Sequence, residues 1–417
     1  MDDVTKGAWV FHHSQKIADF RNGANQFPNI DFAGKCGQLI SAASQDGQSQ
    51  ISQDQFAAYA RGCGINVRTE MPALIQELER QKIIERVGAT IELLGMTSKS
   101  ILIHTARIFD EASPAPKETA SIATAETISV IPKRLSETID EVADVIRLPS
   151  SQTASLIKEC SEFGLIDSTS YTASDPILFN GNLFRSENET KLSAVINSLT
   201  SRDMSKVNEL DQVLRQRGAV PADIVKRVLG EDLFAKLHSI GFYDVSTIVN
   251  NQGDFAYVTR PSAFKKFGNS FLEDSLDLAK AFVASLTYGM QKSERSRGRI
   301  QMIGALMSKL IQGRSVGPAT AIGEDYKILE VKGVVELTYA QGGQYYMRLK
   351  KREVGELALS VINSGDASLE AVVLPRTSAT SFTNPERSRS AQRKKENPAL
   401  EREVAAILND LRTGVKL

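Results

Sequence analysis

Hydrophobic positions recur in one spacing four times along the chain: an apolar residue, a second three places on, Gly or Lys four places later, then two consecutive apolar residues. The first copy is Ile75, Leu78, Lys82, Ile83 and Ile84, and the second is Ile157, Cys160, Gly164, Leu165 and Ile166. The third is Phe234, Leu237, Gly241, Phe242 and Tyr243, and the fourth is Tyr326, Leu329, Gly333, Val334 and Val335. The i, i+3 pair marks one face of a helix, the Gly suits a left-handed C-terminal cap, and the apolar pair opens a strand. Each copy therefore predicts a helix running straight into a strand, with Leu78, Leu237 and Leu329 in the core.

The flanks extend the pattern. Ahead of the first copy, residues 33–43 and 52–61 read as two shorter amphipathic helices, and behind it 87–94 turns at Gly88. Ahead of the second, Ser136 is the expected N-cap of a helix, Leu148 and Pro149 break it, and Ser150 or Ser151 caps the next. Behind the third, 243–249 and 255–259 flank a polar turn, and behind the fourth, 334–340 and 344–349 flank Gly342 and Gly343. Both read as β-hairpins.

Three helices and a two-stranded wing, the third helix closed by Gly, resemble the winged helix-turn-helix superfamily over 33–97, 118–175, 219–260 and 294–350. The resemblance is one of fold and names no particular family. It implies an α+β, mostly helical chain of four degenerate winged-helix modules in tandem, with bracing helices at 188–217 and 271–288. The expected divisions are 1–110, 118–186, 187–268 and 269–363, then a flexible basic tail at 364–417. Residues 112–127, rich in Pro, Ala and Thr, read as a linker. Residues 363–397 read as disordered, and 398–411 as a short amphipathic helix suited to docking on a protein partner.

Composition agrees with several modules rather than one large core: the chain has 417 residues, 41% of them hydrophobic. No run approaches the roughly 20 apolar residues of a membrane span, and the acidic opening MDDVTKGAWV has no secretory core, so a soluble, cytoplasmic protein is expected. Cys36, Cys63 and Cys160 are too far apart for a metal or redox pair and are expected as buried, reduced thiols.

Net charge is zero but unevenly spread. Residues 1–259 carry 25 Lys and Arg against 33 Asp and Glu, whereas 260–352 carry 16 against 8. The basic stretch contains Arg295, Arg297, Arg299, Lys309 and Arg314, and the fourth hairpin runs into Arg348, Lys350, Lys351 and Arg352. If wing and first helix share a face, these form one cationic surface for phosphates. The third helices of copies three and four begin instead with carboxylates, Glu231 and Asp232, Glu324 and Asp325. Such acids favour their own helix dipole and repel DNA. Copy two, with Ser151 and Gln152 in its first turn, is the best candidate for reading bases.

No nucleotide-binding loop, dinucleotide fingerprint, nucleophile elbow or paired zinc spacing occurs, so neither a cofactor nor a metal is expected. His12 and His13 lack a nearby Cys or carboxylate cluster. Glu324, Asp325 and Lys327 faintly suggest a metal-dependent nuclease, but their helix setting reads as a solvated face. The expectation is a non-enzymatic, DNA-associated adaptor or regulator, gripping DNA backbone through the basic fourth module and protein through the acidic first half. The alternative is a protein-only scaffold in a larger assembly, with the nuclease a distant third.

Overall fold

The computed structural model describes residues 1–373 other than 21, 45–48, 94, 170–174, 185–188, 251 and 269–272. The expected tail and its helix at 398–411 lie outside the described residues. Within them the chain is α+β and mostly helical, with twenty α-helices and four small antiparallel sheets of three strands each. It divides into two compact units: Met1–Gly181, with Val372 and Val373, holds the first two copies, and Asn182–Ala371 holds the last two.

All four copies follow one order: helix, short strand, two helices, hairpin. In the first, Pro28–Ala43 leads to the strand Gln50–Ser52, the helices Gln53–Gly62 and Met71–Arg80, and the strands Ile84–Val87 and Thr90–Leu93. The short strand pairs with the last strand of the hairpin, Ile51 opposite Ile91, which places the last strand at the centre of the sheet. The same arrangement recurs with Lys133–Arg134 on Ile177–Phe179, Val220–Pro221 on Gly253–Thr259, and Val316–Ala319 on Tyr345–Leu349. This first strand did not register as a periodic element, being only two to four residues long. Copy two closes its sheet in the same way, Asp167–Ser168 pairing with Ile177–Phe179.

The repeated spacing has one local cause. Lys82, Gly164, Gly241 and Gly333 have φ of 55°, 65°, 79° and 69°, the left-handed conformation that ends a helix. The following amide reaches back to the second apolar position each time: Ile83 N to Leu78 O at 2.9 Å, Leu165 N to Cys160 O at 3.1 Å, Phe242 N to Leu237 O at 3.0 Å, and Val334 N to Leu329 O at 2.8 Å. This is the Schellman closure, which an apolar contact across the cap commonly accompanies. Accordingly the apolar residues of every copy, Leu78, Leu237 and Leu329 among them, are buried; removing one Leu side chain to Ala should cost about 2–5 kcal/mol.

Three expectations are corrected. Residues 112–127 are no linker: Pro116–Val130 is a helix whose Ala120, Ile122, Ala123, Ala125 and Ile128 are buried. Its small residues let neighbours close in on every side, so it shows no single apolar face. The expected helix at 188–217 is two helices, Glu189–Ser198 and Ser201–Arg217, divided where Thr200 accepts from Asp203 N and Asp203 accepts from Thr200 N. In copy two the helices start at Leu135 and Ser150, so that Arg134 and Pro149, not serines, hold the N-cap positions, and neither makes a side-chain cap bond. Ser136 instead donates its amide and hydroxyl to Asp175.

In the first unit, the helices Asp3–Ile17, Pro28–Ala43 and Ser98–Glu111 pack together. Glu118, fully buried on Pro116–Val130, ties this group to the second copy: Oε1 accepts from the amides of Asn29 and Ile30 at the start of Pro28–Ala43, while Oε2 accepts from Asn29 Nδ2 and Ala115 N. A buried carboxylate is tolerated there because the orphan amides of a helix N-terminus surround it. In the second unit, Glu273–Gln291 and Arg352–Ser364 pack side by side with Leu276, Phe282, Val283, Leu357 and Val361 buried, and Gly365 closes the latter helix with φ 71°.

Candidate nucleic-acid interface

The cations of the fourth copy fall into two groups at opposite ends of its sheet. The helix Ile303–Ile311 carries exposed Lys309 and closes at Gly313, so that Arg314 N bonds Lys309 O at 3.0 Å. Val316 pairs with Met347, which puts Arg314 beside the exit of the central strand at Leu349 and Lys350. Lys350 N and Lys351 N both donate to Val334 O, at 2.8 and 3.2 Å, bringing in Lys332 just before the Gly333 cap. The helix Arg352–Ser364 closes over this end: a methyl group on Gly355 would fall 2.4 Å from Leu349 Cδ2 and 3.4 Å from Ile311 Cγ1, so the glycine lets the helix lie directly on the Leu349 side chain.

Lys309, Arg314, Lys332, Lys350, Lys351 and Arg352 therefore gather from four elements. All but half-buried Lys351 are exposed. Arg352 Nε pairs with Glu356 at 2.8 Å; none of the other five has an ion-pair partner among the described residues. Sequence reading missed Lys332, which is isolated in the chain and joins the group only through sheet register. Arg348 lies on the outward face of the central strand, opposite Glu336.

The second group sits at the other end, roughly 17 Å away for five residues of extended strand. Here the turn Arg295–Arg297 and Gly298 rest on Ala319, which pairs with Tyr345, and Thr320 Oγ1 donates to Arg297 O at 3.3 Å. Arg295 and Arg299 are exposed, Arg299 Nε donating to Met290 O at 2.7 Å. Arg297 turns inward to Glu324 and to Asp325 Oδ1, the latter at 3.1 Å. The turn ahead of the first helix and the wing thus do not form one cationic face, although the end of that helix, through Lys309 and Arg314, joins the wing's Lys350 and Lys351. The wing tip, 340–344, carries no charge at all.

Asp325 is also not on a solvated face. Its side chain is 0% exposed, and Asn250 Nδ2 donates to Oδ1 at 2.9 Å. Burial pushes its carboxyl above the ordinary range, with Arg297 and Asn250 pulling the other way. Lys327 pairs with Glu330 instead, so Glu324, Asp325 and Lys327 do not converge on a common point. Among the described residues no three His, Cys, Asp or Glu are placed to hold a metal.

The third helices differ from one another. On Ser150–Glu162, Ser151 and Gln152 are exposed in the first turn, with Ser155 and Lys158 exposed further along. Glu231–Ser239 exposes Glu231 and Asp232 at its start. In copy four the third helix is Lys327–Val331, which exposes Ile328 and Val331; Glu324 and Asp325 end the second helix, Thr320–Asp325, and do not begin the third as expected.

Elsewhere, Cys36 and Cys160 are buried and Cys63 half-buried, its thiol pushed up to about 11 by burial. His12 and His13 are buried against Trp9. Among the described residues no helix is long and apolar enough to cross a membrane. Comparison with protein-family models, curated proteins and solved structures gave no match.

Proposed function

We propose that the chain is a non-enzymatic adaptor of four tandem winged-helix modules that holds the backbone of duplex DNA through the fourth module. The shared order of elements, with the first short strand against the last, supports the winged-helix reading. The observation that carries the DNA reading is the group of Lys309, Arg314, Lys332, Lys350 and Lys351, five cations that the sheet register brings together from distant parts of the module with no ion-pair partner among the described residues. Phosphates need such clustered, unpaired cations. Arg295 and Arg299 are a lesser, separate contact, and Arg297 contributes none because two carboxylates hold it.

Base reading is assigned to copy two through Ser151 and Gln152, whose exposed positions suit the groove-facing first turn of a recognition helix. The acidic first half is assigned to protein partners. The protein-only scaffold has one observation in its favour: the third helix of copy four presents Ile328 and Val331, an apolar surface in place of a base-reading one. Binding of the full chain to one operator-like duplex and to random duplex separates these readings. The adaptor binds both, and Ser151→Ala with Gln152→Ala narrows any preference between them. A chain that binds neither at low salt is a scaffold.

A further inference from the structure

The third helix of copy four keeps an apolar face open among the described residues. On Lys327–Val331, Leu329 turns into the core, whereas Ile328 and Val331, three residues apart and so on one side, are 57% and 72% exposed. The helix is fixed in that orientation from another side: Lys327 pairs with Glu330, and Glu330 Oε1 accepts from Leu337 N of the edge strand Val335–Tyr339 at 3.2 Å. The open face runs directly into the cations. Lys332 follows Val331, and Val334 O accepts from Lys350 N and Lys351 N. An apolar face bordered by cations without ion-pair partners fits a segment whose own apolar stripe is bordered by carboxylates.

This chain contains such a segment. In 398–411, Leu400, Val404, Ile407, Leu408 and Leu411 keep the i, i+4, i+7, i+8, i+11 spacing of a single helix face. At about 100° per residue, Glu403 and Asp410 fall along one edge of that stripe and Glu401 along the other, while Arg402, the one cation of the segment, falls opposite it. The segment is also within reach. The helix Arg352–Ser364 starts at the cationic end, and with Ser368–Val373 after it the last described residue lies at most roughly 40 Å from that end. Residues 374–397 span up to about 80 Å when extended.

We propose that residues 398–411 dock as a helix on Ile328 and Val331 of their own chain, with Glu403 and Asp410 over Lys332 and Lys350. Tethering places the segment at an effective concentration of order millimolar, so a face too small to hold a free partner is enough for it. The docked segment covers cations proposed to hold DNA backbone, so it competes with phosphate for them; that consequence, unlike the docking itself, rests on the DNA reading.

Disulfide trapping on the full chain tests the docking without DNA. Val331→Cys with Leu408→Cys should close an intramolecular disulfide, identified by mass spectrometry, at least tenfold faster than Val249→Cys with Leu408→Cys, Val249 being 71% exposed on the hairpin of copy three. Ile328→Lys, a good helix former at an exposed position, should remove most of that advantage. Lys332→Glu with Lys350→Glu should do the same, and adding Glu403→Lys with Asp410→Lys should restore it. Equal rates for the two cysteine pairs overturn the proposal, as do disulfides that join two copies, or an advantage that Ile328→Lys leaves intact. For the competition, Leu408→Gln should raise affinity for random duplex at low salt about tenfold; an unchanged affinity refutes it. A chain that traps the disulfide yet binds no duplex refutes the DNA reading and supports the docking.

Discussion

Lys82 occupies the left-handed position that glycine fills in the other three copies, and its φ of 55° costs a side chain about 1–2 kcal/mol. Lys82→Gly relieves that strain while loosening the unfolded chain, so stability should stay level or rise by up to about 1 kcal/mol. Lys82→Val places a β-branched residue there and should lower stability by more than about 1 kcal/mol. Urea unfolding of the two variants checks the sign; a stabilising Val would mean that the cap is not left-handed. His13 supplies a second residue-scale test. Burial, with Lys16 adding to it, holds its imidazole well below the ordinary value near 6.5, so the folded chain keeps it neutral where the unfolded chain takes up a proton. Its folded pKa is depressed, so stability is fully present above 6.5 and falls as pH drops below it, by at most about 1.4 kcal/mol per pH unit until His13 itself protonates. The loss of stability between pH 7.5 and 5.5 should flatten in His13→Gln; an unchanged slope would assign the acid sensitivity elsewhere.

At the scale of elements, what the sequence makes legible is whatever is enforced within a dozen residues. The cap at Gly164 or Gly241 is local, and so are the apolar residues on either side of its backbone bond, which is why the fourfold spacing located all four helix-to-strand junctions. Pro116–Val130 was illegible for the opposite reason, since Ala, Ser and Thr give no periodic stripe when every face is buried. Val220–Pro221 and Lys133–Arg134 are too short to show a period and become strands only because the last strand of each hairpin pairs with them. Glu118 is another long-range arrangement. Each of its oxygens accepts at least one N–H, so in Glu118→Gln the amide nitrogen faces a donor whichever way it turns. That substitution should destabilise the chain by about 2–4 kcal/mol, with hydrogen exchange rising first at the start of Pro28–Ala43. A neutral effect would show that the carboxylate does not cap that helix.

Over the whole chain, charge is where sequence and structure part most. A run of cations at 292–314 reads as one basic stretch, yet folding divides it: Arg297 is enclosed by Glu324 and Asp325, Arg295 and Arg299 stay at one end of a sheet, and Lys309 and Arg314 go to the other. Register then adds Lys332, Lys350 and Lys351 to the second group. This second group is proposed to be the main hold on DNA backbone, with Arg295 and Arg299 the lesser contact. The most direct measurement is the salt dependence of binding to random duplex DNA for wild type, for Lys309, Arg314, Lys350 and Lys351 all changed to Ala, and for Arg295→Ala with Arg299→Ala. Every phosphate that is no longer neutralised reduces the log–log slope by about 0.9, so the four-site variant should lose a slope of roughly 3.6 while the two-site variant loses less than about 1.8. An unchanged slope in a folded four-site variant, or a larger loss from the two-site variant, would contradict the account.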